Sequence, residues 1–152
     1  MQRPALAVLA VAAGLCACGP HGPQGVPPTQ LDTQIASAIG DPTTCLLLAD
    51  GATGKVVYQY GVNFNCDRTL PACDKPGVMN AREALKYATQ TGGRMASCAS
   101  LPDGSRRVGW VEGRVQSNKH NLVFSAVMEG QRALPGHEMN ARLYDAFQAA
   151  GL

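Results

Sequence analysis

Six cysteines and a few charged side chains carry whatever covalent chemistry this chain can do. Cys16 and Cys18 sit together in Leu15-Cys16-Ala17-Cys18, and Cys45, Cys66, Cys73 and Cys98 are spread through the body of the chain. Cys73 has Lys75 two residues after it and Arg68 five before it. Either cation could stabilise a thiolate and make it a nucleophile. The same four thiols could instead pair. Cys66 with Cys73 would close a small local loop, Cys45 with Cys66 would clip a hairpin, and the sequence leaves all three connectivities open. A zinc site drawing on His120 or His137 is a third use, but the spacings match no finger pattern. His137-Glu138 lacks the second His of a zinc-protease motif and reads as favourable charge at a helix start. Glu112 and Glu129 fall on separate strands, where no spacing pairs them for acid–base work. Arg106-Arg107 reads as a solvated edge and Trp110 as a packing anchor.

A bridged sulfur cannot attack a carbonyl, so the redox compartment decides between these uses. Met1-Gln2-Arg3 supplies a charged start and Ala5 to Leu15 an apolar run too short to span a bilayer, the layout of a secretory signal. Its Leu-x-Ala-Cys ending resembles a bacterial lipoprotein signal. That resemblance implies cleavage before Cys18 and a lipid on the Cys18 sulfur. Cys16, preceded by Leu15, fits the cut site poorly and would leave with the signal. The competing reading is a plain secreted protein with Cys18 in a disulfide. Under the lipoprotein reading the protein faces the periplasm of a bacterial cell envelope. Its partners are the membrane, through the lipid, and a cell-envelope protein or peptidoglycan. Gly19 stands where an inner-membrane retention mark would have Asp, which points to the outer membrane. The oxidising compartment favours two disulfides among Cys45, Cys66, Cys73 and Cys98.

Removing residues 1–17 from the 152 leaves 135, enough for one domain. The expected organisation is a signal over 1–17, a lipidated Gly/Pro tether over 18–28 and a single domain over 29–152. Apolar residues make up 45% and aromatics only 5%, so the core must be built from aliphatic and small side chains. The net charge is +2 with no basic stripe, which argues against nucleic acid. No cofactor motif is present.

The elements that must position the cysteines follow from periodicity. A helix is expected after Thr29, with Asp32 completing its cap, and Gly40-Asp41-Pro42 stops it. Thr44–Ala49 and Lys55–Tyr60 flank the turn residues 50–54 as a hairpin. The first of these strands is apolar enough to be covered on both faces. Residues 61–78 read as irregular. Asn80 and Glu83 form a capping box for a second helix, which Gly92-Gly93 ends. Strands over 94–100 and 106–115 surround Leu101-Pro102-Asp103-Gly104-Ser105, a fifth strand covers 121–128, and a last helix covers 136–150. The order α-β-β-α-β-β-β-α predicts an α+β fold, a five-stranded antiparallel sheet flanked by helices.

Two segments carry a resemblance. Asp103-Gly104-Ser105-Arg106-Arg107-Val108-Gly109-Trp110-Val111-Glu112-Gly113 resembles the late strands of the penicillin-recognising serine enzymes, class D β-lactamases above all. There a Lys-Thr-Gly strand is followed by a strand containing Val-Gly-Trp. Gln90-Thr91-Gly92-Gly93 stands where Lys-Thr-Gly would be. Asn65-Cys66-Asp67-Arg68-Thr69-Leu70-Pro71-Ala72-Cys73 resembles the approach to that family's nucleophile. Cys45-Leu46-Leu47-Leu48 and Thr53-Gly54-Lys55-Val56-Val57 resemble its first two strands. The likeness spans most of residues 30–152 but lacks the family's inserted helical domain, for which only Pro76 to Gln90 is available.

The family's reaction implies a hydroxyl nucleophile, a Lys one helical turn later, a relay motif, and a Lys-Thr-Gly strand that binds a carboxylate and the oxyanion. Cys73 takes the nucleophile's position. Pro76 stands where the Lys should be, Lys75 is one residue early, Gln90 replaces the strand Lys, and the relay has no counterpart. The resemblance therefore implies an envelope lipoprotein with a degenerate, non-catalytic domain acting as a binding or interaction module. The enzymatic alternative makes Cys73 an acyl-accepting nucleophile, with Lys75 beside it and Thr91 and Gly92 at the oxyanion. The third reading is a roadblock- or profilin-like scaffold, which shares the same element order.

Overall fold

The computed structural model describes residues 22–91 and 93–152. Its elements are α1 (Pro28–Ile39), β1 (Cys45–Asp50), β2 (Val56–Tyr60), α2 (Asn63–Asp67), β3 (Leu70–Pro71), β4 (Val78–Met79), α3 (Ala81–Thr91), β5 (Gly93–Ala99), β6 (Arg107–Arg114), β7 (Leu122–Gly130) and α4 (Gly136–Ala149). Five strands form one antiparallel sheet in the order β2-β1-β7-β6-β5, so the expected α+β architecture is the one present. The stretch read as irregular adds α2 and the ribbon β3–β4. Elements of five and two residues are too short to leave a periodic signal.

Alternation along the strands sorts the core into two layers. Leu46, Leu48, Val111, Phe124, Ala126 and Met128 face α1 and α4, where Leu31, Ile35, Ile39, Met139, Leu143 and Phe147 meet them. Cys45, Leu47, Ala49, Val108, Trp110, Val123 and Val127 face α3 and the 66–79 segment. Helices on both faces explain why β1 and β7 are buried almost end to end. Ser125 is the polar exception at the centre of β7, and its hydroxyl donates to the Ala81 carbonyl at 2.7 Å, seating the start of α3 on the sheet.

Local signals decide most of the element ends. The capping box holds: Glu83 N–H donates to Asn80 Oδ1 at 2.9 Å and Asn80 N–H to Glu83 Oε2 at 3.0 Å. The α1 cap is different from the one expected. Pro28 occupies the first turn after Pro27, and Thr29 lies inside the helix. Asp32 instead accepts the Tyr58 hydroxyl at 2.6 Å, tying α1 to β2. The segment assigned to the tether is also partly built in. Gly22 N–H donates to the Val57 carbonyl at 2.8 Å, and Pro23 and Val26 are buried. Packing therefore reaches back to Gly22, because one Val among the prolines finds an apolar seat beside α1.

Val108-Gly109-Trp110 has a packing explanation. A Cβ on Gly109 would strike the Leu134 carbonyl oxygen, and one on Gly136 would strike those of Trp110 and Ala96. The backbone leading into α4 lies directly on β5 and β6, and only glycine admits that approach. Gly109→Ala is expected to cost about 1–3 kcal/mol as overpacking, read as a lowered urea midpoint.

Candidate functional site

Cys45 is bridged to Cys66 and Cys73 to Cys98, which settles the connectivity that the sequence left open. The first bridge is buried and joins β1 to α2. The second is partly exposed and joins the loop after β3 to β5. Cys73 has φ +74°, a left-handed conformation that a non-glycine residue adopts at a cost of about 1–2 kcal/mol. Neither cysteine has a thiol left for nucleophilic attack, and among the described residues no group of three or more His, Cys, Asp or Glu is placed to hold a metal ion.

Around that bridge stands a network the sequence reading missed. Arg94 on β5 lies directly across from Glu112 on β6. Its guanidinium grips the carboxylate with two bonds, Nε to Oε2 at 2.9 Å and Nη2 to Oε1 at 2.6 Å. Nη1 donates to the Ala72 carbonyl at 2.8 Å and pairs with Asp74. Burial works against the Arg94 charge, but the hydrogen bonds and charges of Glu112 and Asp74 more than offset it and hold the guanidinium above its usual range. Trp110 lies beneath, fully buried, its indole N–H donating to the Pro71 carbonyl at 2.8 Å. The loop over 71–74 is thus held by side chains at Pro71, Ala72 and Asp74 and by Cys98 at Cys73.

A second cluster ties down the turn ends. Arg106 grips Glu129 at 2.8 and 2.7 Å, Ser100 donates to Glu129 at 2.7 Å, and Arg68 reaches the same carboxylate at 3.2 Å. Of Arg106-Arg107, Arg107 is exposed as expected, but Arg106 is an ion-pair partner and not a solvated edge, and three residues donate to Glu129. The Arg106 hydrogen bonds lead in holding the Glu129 carboxyl down at about 2, against its burial. A depressed carboxylate stabilises the fold above its ordinary value of 4.5 and loses that contribution as pH falls toward 2. A Glu129→Gln variant should lose about 2 kcal/mol at pH 7, after allowance for solvent around the 40% exposed Arg106, and should lack the wild-type decline in urea stability between about pH 5 and 2.

The expected acyl-transfer parts do not assemble. Lys75 lies with its Nζ 3.5 Å from the centroid of the Tyr87 ring, a cation–π contact. Thr91 ends a helix instead of starting a strand, and Gly92 and Cys18 lie outside the described residues. What Lys75 does border is an open groove of about 520 Å³ between the 75–79 segment and the outer face of α3, where Val78, Lys86, Tyr87 and Gln90 line it. Val78 is largely exposed there. The groove mixes the ammonium groups of Lys75 and Lys86 with the Glu83 carboxylate and an apolar strip at Val78, and Lys75 covers a face of the Tyr87 ring, so it offers mixed polar and apolar contacts.

Glu112 was legible as a problem. It shares a face with Val108 and Trp110, and a carboxylate on a covered face needs a cation. Compared with models of known families, with curated proteins and with solved structures, the chain matches none.

Proposed function

We propose that this chain is a bacterial envelope lipoprotein whose domain is a non-catalytic relative of the penicillin-recognising enzymes, acting as a binding module through the groove beside α3. One observation carries the reading: Cys73, the residue that the resemblance puts at the nucleophile's position, is bridged to Cys98. The order of strands and helices is compatible with that family, and the groove offers contacts without a reactive group. The test is incubation of the purified, unreduced protein with a fluorescent penicillin followed by a denaturing gel. No covalent label is expected, and a stable labelled band would overturn the reading.

A scaffold of the roadblock or profilin kind draws on a different observation. β5 is a seven-residue edge strand without proline or bulge, and among the described residues its ladder joins β6 alone. Such an edge can pair with a second strand. Sedimentation of the protein as a dimer that Met95→Pro dissociates would favour that reading over the first.

A further inference from the structure

We propose that the end of the sheet made by the β1–β2 turn and the β6–β7 loop docks on an anionic phospholipid surface. The proposal rests on the reading of Cys18 as the lipid-bearing residue and adds to it an orientation.

Chain length sets the first constraint. Gly22 is fixed against β2 at Val57, two residues past Lys55, and therefore beside the β1–β2 turn. It is the fourth residue after Cys18, a reach of at most about 14 Å when fully extended. The far end of the sheet lies along the nine residues of β7, roughly 30 Å away. A lipid on Cys18 holds the turn end close to the bilayer and leaves the opposite end out of reach of a bilayer met head-on.

Charge supplies the second constraint. The turn and the loop meet where Gly51 N–H donates to the Asn121 carbonyl at 2.7 Å. Lys55, Arg114 and Lys119 are exposed at this end, and among the described residues none forms an ion pair. Arg114 and Lys119, with Ser117 and His120, line a recess of about 390 Å³. The acidic group on the turn, Asp50, is turned inward to its own loop, accepting from the Ala52 and Thr53 amides and the Thr53 hydroxyl. At the opposite end Arg68 and Arg106 pair with Glu129, and Arg132 pairs with Asp41. Among the described residues, three exposed cations outside these ion pairs stand at the end where the anchor brings lipid, against Arg107 at the opposite end, and each cation near an anionic surface strengthens association roughly fivefold.

The test uses the processed full chain, reconstituted into phosphatidylcholine vesicles with and without about a third phosphatidylglycerol and labelled briefly with a water-soluble amine-acylating reagent. Peptide mass spectrometry reads all four lysines. Lys55 and Lys119 should label at least about fivefold more slowly on the anionic vesicles, with Lys75 and Lys86 unchanged as internal controls. The Lys55→Glu, Lys119→Glu double variant, which keeps its fold because both sites are exposed, should keep its salt-resistant flotation through the anchor but lose the salt-sensitive gain in binding that phosphatidylglycerol gives the wild type. The mass of the amino-terminal peptide reports the anchor separately. A lipidated Cys18 with Lys55 and Lys119 unprotected overturns the docking surface and keeps the anchor. An unmodified Cys18 with salt-sensitive flotation on anionic vesicles alone keeps the surface and overturns the anchor. An unmodified Cys18 with no flotation overturns both.

Discussion

Arg94→Met is expected to destabilise the domain by about 3–5 kcal/mol, the cost of leaving a buried carboxylate without its cation. The Glu112 side chain is 0% exposed and receives both of its charged hydrogen bonds from Arg94. Met keeps an apolar stem and removes the guanidinium, whose carbon lies 6.0 Å from the Trp110 ring centroid, so the loss reports chiefly the charge. Two further consequences separate this from a generic core defect. The carbonyl of Ala72 and the carboxylate of Asp74 lose their donor, so amide exchange over 72–77 should accelerate beyond what the global loss explains. The double variant Arg94→Met, Glu112→Leu should recover most of the stability, because it removes the charge instead of stranding it. Urea melts of the two single variants and the double variant give the coupling energy directly. Additive losses would mean that the Arg94–Glu112 pair itself contributes little.

The pair shows why some of the site could be read from the sequence and some could not. Alternation marks Val108, Trp110 and Glu112 as one face, and the Asp103-Gly104 turn, closed by Ser105 donating to Asp103, centres the β5–β6 hairpin. Those two facts together place residue 94 opposite residue 112, so Arg94 was within reach of the pattern. The Glu129 cluster was not. Arg68 comes from a segment 61 residues away, and no local rule brings the end of α2 to the end of β7. The cysteines divide in the same way: Cys45 with Cys66 was among the pairings the spacing offered, whereas Cys73 meets Cys98 only because the 66–79 segment folds back over the sheet. The helix caps divide likewise. Asn80 and Glu83 form a closed local loop of two hydrogen bonds, whereas Asp32 at α1 has a distant competitor in the Tyr58 hydroxyl, and the distant partner wins. Short-range chemistry is readable when nothing from elsewhere in the chain offers a better partner.

The two disulfides should differ in both accessibility and consequence. They close loops with sequence separations of 21 and 25 that do not overlap, so chain entropy assigns each about 3 kcal/mol and lets the two contributions add. Reducing both should therefore remove about 6 kcal/mol, comparable to the whole stability of an ordinary domain, and unfold the protein at 37 °C. The order of opening follows from burial. Cys45 and Cys66 are 0% exposed, with Cys45 paired into β7 as well, so no reductant reaches them before the sheet edge moves. Cys73 and Cys98 are partly exposed, and Cys73 gains by leaving its left-handed backbone once released. Mild thiol reductant followed by alkylation should modify Cys73 and Cys98 first, giving a folded intermediate with two blocked thiols and faster exchange confined to the 71–77 loop. Cys45 and Cys66 should become labelled only as the circular dichroism signal is lost. Simultaneous labelling of all four, with no folded intermediate, would show that the Arg94 network cannot hold the loop by itself and that the Cys73–Cys98 bridge is part of the global fold.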